Sequence, residues 1–149
     1  MRHAKIFVFD IDGTLANVDH RRHWVMSKPK NWAAFNAAMK FDTPNEDIVC
    51  LLECVRNHID ARIVICSGRG SETRAVTEQW LLYNVGYYDA LYMRAEKDYR
   101  PDSIVKVELL KRIEFDYGKP YLWVDDRQQV VDAIRAEGIR VLQVQPGDF

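Results

Sequence analysis

Short apolar runs recur along the chain, and each breaks off in a polar cluster. Ala4 to Phe9 (AKIFVF) leads straight into Asp10-Ile11-Asp12-Gly13-Thr14. Ala61 to Cys66 (ARIVIC) ends in Ser67-Gly68-Arg69-Gly70, and Tyr121 to Val124 (YLWV) ends in Asp125-Asp126-Arg127. Ala90 to Met93 and Ile139 to Val144 are further candidate strands. Nearly unbroken runs of this length suit strands covered on both faces, as in a parallel sheet. Between them the apolar positions take helical spacing. Asn45 to His58 carries Ile48, Leu51, Leu52 and Val55. Ser71 to Asn84 opens on a serine suited to capping, and Gly86 stands where it can end that helix. Ser103 to Tyr117 follows Pro101-Asp102 and exits at Gly118, and Arg127 to Glu137 stops at Gly138. Strand and helix alternate, which predicts an α/β fold: a mainly parallel sheet flanked by helices, with right-handed crossovers.

Residues 16–43 break this alternation. Asp19 to Ser27 and Asn31 to Lys40 read as two short helices, a small helical insertion after the first strand and beside the carboxyl ends of the sheet. Trp24, Trp32 and Phe35 are read as the insertion's own core, with stacking on a nucleic-acid base as the alternative. No repeat and no Gly/Ser linker divides the chain, so residues 1–149 are expected to form a single domain.

The composition narrows the function classes. Of 149 residues, 48% are hydrophobic and 29% charged, which suits a soluble folded domain rather than a disordered chain. A formal net charge of -1 excludes a global basic field, though not a local basic patch. Cys50, Cys54 and Cys66 are odd in number and lack C-x-x-C spacing, which argues against a disulfide framework or a zinc site. Cys50 and Cys54 are read as packing residues of their helix. Met1 to Asp10 lacks the apolar stretch of a signal peptide, and no run is long enough to span a bilayer, so a cytoplasmic protein with no membrane partner is expected.

The polar strand ends carry the chemistry. Ligands in open α/β sheets bind outside the carboxyl ends of strands, which would gather Asp10, Asp12, Ser67, Asp125 and Asp126 in one crevice. Carboxylates so gathered repel one another and call for a cation. Oxygen-only ligands favour a hard ion such as Mg²⁺, and no His/Cys cluster points to zinc. Such an ion would also let Asp10 approach a phosphate dianion. Asp10 can then attack phosphorus and form an acyl phosphate. Asp12, carried on a turn, can protonate the leaving oxygen and later activate water. Gly13 permits the turn, and Thr14 offers a hydroxyl beside it. Ser67 can bind a phosphoryl oxygen, and Gly68 allows close backbone approach. Lys106 can place a point charge on the transferring group, with Asp102, four residues earlier on the same helical face, to position it.

Asp10-Ile11-Asp12-Gly13-Thr14-Leu15, with Ser67, Lys106 and Asp125-Asp126, resembles the four signatures of the haloacid dehalogenase (HAD) superfamily of aspartyl phosphotransferases. The likeness is closer to one branch, the 3′-phosphatase domain of phage-type polynucleotide kinase/phosphatases. It is carried by Ile65-Cys66-Ser67-Gly68-Arg69, Lys97 through Lys106 (KDYRPDSIVK), Val124-Asp125-Asp126-Arg127-Gln128-Gln129-Val130-Val131 and the tail Gln143-Val144-Gln145-Pro146-Gly147-Asp148-Phe149. The resemblance implies a Rossmann-like HAD fold and an Mg²⁺-dependent phosphatase working through an aspartyl phosphate. It implies Asp10 as nucleophile, Asp12 as acid and base, Arg21 and Arg69 as contacts to the substrate phosphate, and Asp102 and Lys106 as supporting residues. Asp10, the backbone carbonyl of Asp12 and one of Asp125 and Asp126 would ligate the ion, with Asp126 favoured and Asp125 behind it. The implied substrate is a 3′-phosphorylated polynucleotide end.

The chain contains no G-x-x-x-x-G-K-[ST] phosphate loop, so no kinase half is expected in it. That keeps a nucleoside monophosphate open as the alternative substrate, and a phospho-accepting receiver-like domain as the alternative outside the enzymes. Arg21, Arg69, Arg94, Lys97 and Arg100 form a candidate basic rim for a polynucleotide.

Overall fold

The computed structural model describes residues 3–58 and 60–149. Met1 and Arg2, part of the stretch read above for a signal peptide, lie outside the described residues. In chain order the elements are β1 (Lys5–Phe9), β2 (Ala16–Asn17), α1 (His23–Met26), α2 (Trp32–Ala37), β3 (Thr43–Pro44), α3 (Glu46–Arg56), β4 (Ala61–Gly70), α4 (Arg74–Asn84), β5 (Ala90–Arg94), α5 (Asp102–Tyr117), β6 (Leu122–Asp125), α6 (Gln128–Ala136) and β7 (Val141–Gln143). Five strands form one sheet in the order β5-β4-β1-β6-β7, every pairing parallel.

The unbroken apolar runs are explained by burial on both sides. Along β1, Ile6 and Val8 enter one core with Val64, Cys66 and Trp123, covered by Leu109, Leu110 and Ile113 of α5 and Val130 and Ile134 of α6. Phe9 enters the opposite core with Ile63, Ile65 and Val124, covered by Leu52 of α3 and Trp80 and Leu81 of α4. Successive strand residues alternate between the two layers, so neither parity can be polar. Burying each such side chain contributes roughly 1.5–3 kcal/mol.

Strand order positions the site. The chain runs from β1 to β4 on one side and later returns to β6 on the other, which opens a crevice at the carboxyl end of β1. The insertion stands beside it. A two-residue antiparallel pairing of β2 with β3, Ala16 opposite Pro44 and Asn17 opposite Thr43, closes its neck and had no sequence signal. Asn45 fastens that neck to the loop after β1, its N–H and its side-chain amide donating to the carbonyls of Leu15 and Thr14 (2.8 and 2.9 Å).

Three expectations are corrected. Trp24 and Trp32 do not form the insertion's core: they are 39% and 55% exposed, and neither α1 nor α2 has a buried residue. Helices of four and six residues offer too little face to enclose an indole. Val18, Arg21, Met39 and Asp42 are buried instead. Second, Ser71 does not cap a helix. Ser71–Thr73 is a 3₁₀ turn, α4 begins at Arg74, and the Thr73 hydroxyl donates to the Gly70 carbonyl at 2.8 Å. The far end is as expected, with Gly86 at φ +91 and its N–H donating to the Leu81 carbonyl. Third, Cys50 and Cys54 are exposed, because α3 turns Val49 and Leu52 inward.

Candidate active site

The loop after β1 is a wound turn. Thr14 and Ala16 donate backbone hydrogen bonds to the Ile11 carbonyl, and Gly13 donates to that of Ala16. Gly13 holds φ +83, and a Cβ there would sit 2.1 Å from an Asp126 carboxylate oxygen. Only a bare α-carbon lets Asp126 come this close to the loop. Asp10 closes β1 with its N–H on the Val124 carbonyl (3.0 Å), which ties it to β6. Thr14 is fully buried and directs its hydroxyl to Asp10 Oδ2 (3.1 Å).

Asp10, Asp125 and Asp126 converge from two strand ends. Each offers one oxygen to a cluster in which these atoms all lie within 4.8 Å of one another, and all three residues are buried. Lys106 reaches them from α5, its Nζ donating to Asp10 Oδ1 (2.7 Å) and Asp125 Oδ2 (2.8 Å), with Asp102 Oδ2 at 4.0 Å. Burial works against the Lys106 charge, but Asp10, Asp125 and Asp102 outweigh it and hold the ammonium well above its ordinary pKa. Burial and then the Asp125 charge push Asp10 well above the usual carboxylate range, against the pull of Lys106. The same two causes raise Asp126.

Asp125 and Asp126 are not equivalent. Asp125 Oδ2 accepts from Lys106 and from Trp123 Nε1 (3.1 Å), while Oδ1 accepts the backbone N–H groups of Asp126 (2.9 Å) and Arg127 (3.3 Å). Both its oxygens are therefore committed. Among the described residues Asp126 has no such set of donors, and it faces Gly13 and Asp10.

Asp12 belongs to the other half of the site. Its carboxylate takes Arg69 Nη2 (2.6 Å), Arg69 Nε (3.1 Å) and Arg21 Nη2 (3.0 Å). Burial would raise its pKa, but Arg69 and then Arg21 hold it below the ordinary value. Behind both arginines stands Asp42, a residue the sequence reading did not single out. Its fully buried carboxylate accepts Arg21 Nε (2.7 Å) and Nη2 (2.8 Å), Arg69 Nη2 (3.1 Å) and a hydrogen bond with His20 Nε2 (2.6 Å). Its backbone carbonyl accepts from Trp80 Nε1 (2.8 Å), which anchors the insertion to α4. The available signal was compositional: Asp42 is the sole acid between Asp19 and Glu46.

The β4 end completes the crevice. The β4–β5 register shifts between Ser67 and Gly70, which bends the strand at the site. Ser67 is buried, and its oxygen accepts the Arg69 N–H (3.1 Å). The open space at Gly68 is taken by Asp102, whose Oδ1 lies 2.1 Å from where a Cβ would stand. Asp102 is the first residue of α5 and makes no capping bond; it is held by Arg94 (3.2 Å) and Arg127 (3.6 Å). The expected basic rim does not stand free, Lys97 excepted, which is exposed and forms no ion pair among the described residues. Arg21 and Arg69 are turned inward on Asp12 and Asp42, and Arg94 binds Asp102 and the carbonyls of Gly68, Asp98 and Arg100. Arg100 is paired with Asp98 and Glu108.

Comparison with known proteins agrees with this geometry. The polynucleotide kinase PNKP phosphatase domain family matches residues 4–149. The chain superposes on a chain of the Pnkp1/Rnl/Hen1 RNA repair complex with a TM-score of 0.83 at 30% identity, covering 99% of this chain and 44% of that one. A second Pnkp1/Rnl/Hen1 complex gives a TM-score of 0.78 at 32% identity, with coverage of 99% and 48%. This chain thus spans about half the length of those it matches. A HAD family enzyme from Bacteroides thetaiotaomicron, solved with magnesium and inorganic phosphate, shares the fold at 14% identity and a TM-score of 0.60, covering 98% of this chain and 96% of that one. The match across nearly the whole chain, together with the aspartate cluster at the carboxyl end of β1, shows that this chain belongs to the PNKP phosphatase domain family, within the HAD-type phosphatases.

Proposed function

We propose that this phosphatase removes the 3′-phosphate from polynucleotide ends, with Mg²⁺ as cofactor and Asp10 as the group that takes the phosphoryl. The observation that carries the reading is the placement of Asp10 at the end of the central strand, between Lys106 and the Asp125-Asp126 pair. The PNKP family match and the likeness to chains of an RNA repair complex support the polynucleotide substrate.

The donor set fits a hard divalent ion: buried, oxygen-only and drawn from two strand ends. Asp10 and Asp126 would hold it, because Asp125 is already saturated by Lys106, Trp123 and backbone N–H groups. Bound there, Mg²⁺ supplies positive charge against the phosphoryl oxygens.

The protein's own groups account for the rest. Asp10 attacks phosphorus as the bond to the ribose oxygen breaks, and Asp12 delivers a proton to that oxygen. Water then attacks the aspartyl phosphate with Asp12 accepting its proton, which releases phosphate, frees the Asp10 carboxylate and returns Asp12 to its protonated form. Lys106 holds Asp10 by one oxygen and Thr14 by the other, so the attacking atom is fixed before substrate arrives. Arg21 and Arg69 face a choice of anions. As phosphoryl oxygens draw their donors from Asp12, the pull that keeps Asp12 deprotonated weakens, and it becomes competent to carry a proton. Asp42 keeps both guanidiniums in place through the exchange. Ser67 and the backbone at Gly68 line the β4 side.

The receiver-like alternative gives way to the family membership. Residues 1–149 work, on this reading, as one phosphatase domain with its insertion at residues 16–43. The test is phosphate release from 3′- and 5′-phosphorylated oligonucleotides and from nucleoside 3′- and 5′-monophosphates, each with Mg²⁺ and with chelator. Fast release from the 3′-phosphorylated oligonucleotide alone, abolished by chelator, is expected. Preference for a nucleoside 5′-monophosphate would refute the substrate.

A further inference from the structure

A further group of exposed cations lies outside the predicted rim. Residues 23–41 contain three lysines and no acid. Lys28, Lys30 and Lys40 are all exposed, and none forms an ion pair among the described residues. The same segment carries Trp24 and Trp32, and two lysines ride on aromatic faces: Lys30 Nζ lies 5.7 Å from the Trp32 ring and Lys40 Nζ lies 5.1 Å from that of Phe41. In a chain of net charge -1 this segment is locally positive and carries exposed aromatics among its cations. A polynucleotide strand offers the complement, alternating phosphates and stacking bases. The exposed Phe115, by contrast, is flanked by Glu114 and Asp116.

The face is also joined to the site. Arg21 Nη2 touches Asp12 at 3.0 Å, its guanidinium lies 4.2 Å over the Phe35 ring, and Phe35 meets Trp32 edge-on at 5.6 Å. The Asn31 N–H donates to the Trp24 carbonyl (2.7 Å), tying the entry of α2 to α1.

We propose that this face of the insertion holds the single-stranded polynucleotide segment next to the terminal phosphate, with bases on Trp24 and Trp32 and backbone phosphates on Lys28, Lys30 and Lys40. It rests on the polynucleotide reading above and adds the path of the strand.

The test separates binding from chemistry. Anisotropy of labelled 3′-hydroxyl octanucleotides, DNA and RNA, reports the face. Phosphate release from the 3′-phosphorylated octanucleotide and from nucleoside 3′-monophosphate reports catalysis. The Trp24→Ala/Trp32→Ala protein is expected to bind octanucleotide about tenfold more weakly. The Lys28→Gln/Lys30→Gln/Lys40→Gln protein is expected to lower the slope of log affinity against log salt by about two. Phe115→Ala is expected to change neither. All substituted side chains are exposed, and a thermal melt confirms folding. Octanucleotide binding by the parent protein that neither set of substitutions alters would overturn the proposal, as would failure of the parent to bind, the result expected if another protein covers this face. Binding through this face without phosphate release would sustain the proposal and remove the catalytic reading. Equal kcat/KM for octanucleotide and nucleoside 3′-monophosphate would remove this strand path and the polynucleotide preference together, and leave phosphatase chemistry at Asp10 standing.

Discussion

Asp42→Asn isolates the carboxylate on which the arginine half of the site rests. The substitution keeps the shape, removes the negative charge and turns an amide toward a guanidinium. Arg21 loses its two-point partner at 2.7 and 2.8 Å, and Arg69 loses a contact at 3.1 Å. Arg21 is 0% and Arg69 5% exposed, so water does not replace what is lost. Removing one partner of a buried ion pair costs about 3–5 kcal/mol. Asp12 remains as counter-ion to both arginines, which places the expected loss of stability at the lower end, about 3 kcal/mol. The same change leaves Asp12 as the sole carboxylate for two guanidiniums, and an incoming phosphate must then compete harder for them. A hundredfold fall in kcat/KM, about 2.7 kcal/mol, is expected. Urea unfolding gives the first quantity, and phosphate release, measured well below the unfolding midpoint, gives the second. An unchanged urea midpoint together with unchanged kcat/KM would refute the reasoning. Lost stability with unchanged kcat/KM would make Asp42 a support for the fold alone.

Two further expectations follow from the loop after β1. Gly13→Ala forces a Cβ to within 2.1 Å of Asp126 at a φ of +83, so the Mg²⁺ concentration for half-maximal activity should rise about tenfold or more; an unchanged Mg²⁺ titration would exclude Asp126 as a ligand. Asp12 is held below its ordinary pKa of 3.8 despite burial, by Arg69 and Arg21, so its contribution to stability is present above that pH and is lost as pH falls through the depressed folded-state value. Asp12→Asn should therefore flatten the acid limb of the stability curve, and an acid limb identical to that of the parent would contradict the pairing.

What could be read from the sequence follows from where each signal arises. β1, β4 and β6 were legible because both faces of each are buried, which leaves an uninterrupted apolar run ending at a polar break. The site was legible for the same reason: Asp10, Ser67 and Asp125-Asp126 stand at those breaks, and sheet topology brings them together. Asp42 was not legible. It sits after a 3₁₀ turn in the insertion, where no periodicity reports which face meets the sheet, and its partners lie 21 and 27 residues away. Trp24 and Trp32 misled because helical spacing in aromatics signals burial only where the helix is long enough to bury them. Arg94 and Arg100 looked free in the sequence because the acids and carbonyls that occupy them come from a loop and from α5. Ser71 carried the residue type of a cap, but the chain tightens into a 3₁₀ turn first and postpones the helix to Arg74.

The central claim is that the phosphoryl group passes through Asp10, which makes the reaction two in-line displacements at phosphorus. The direct measurement is the stereochemical course of hydrolysis, using a thiophosphate ester made chiral at phosphorus by oxygen isotopes and cleaved in isotopically labelled water. Two displacements predict overall retention of configuration, lost along with activity in Asp10→Asn. Inversion would show that water attacks the ester directly and would contradict the covalent role of Asp10.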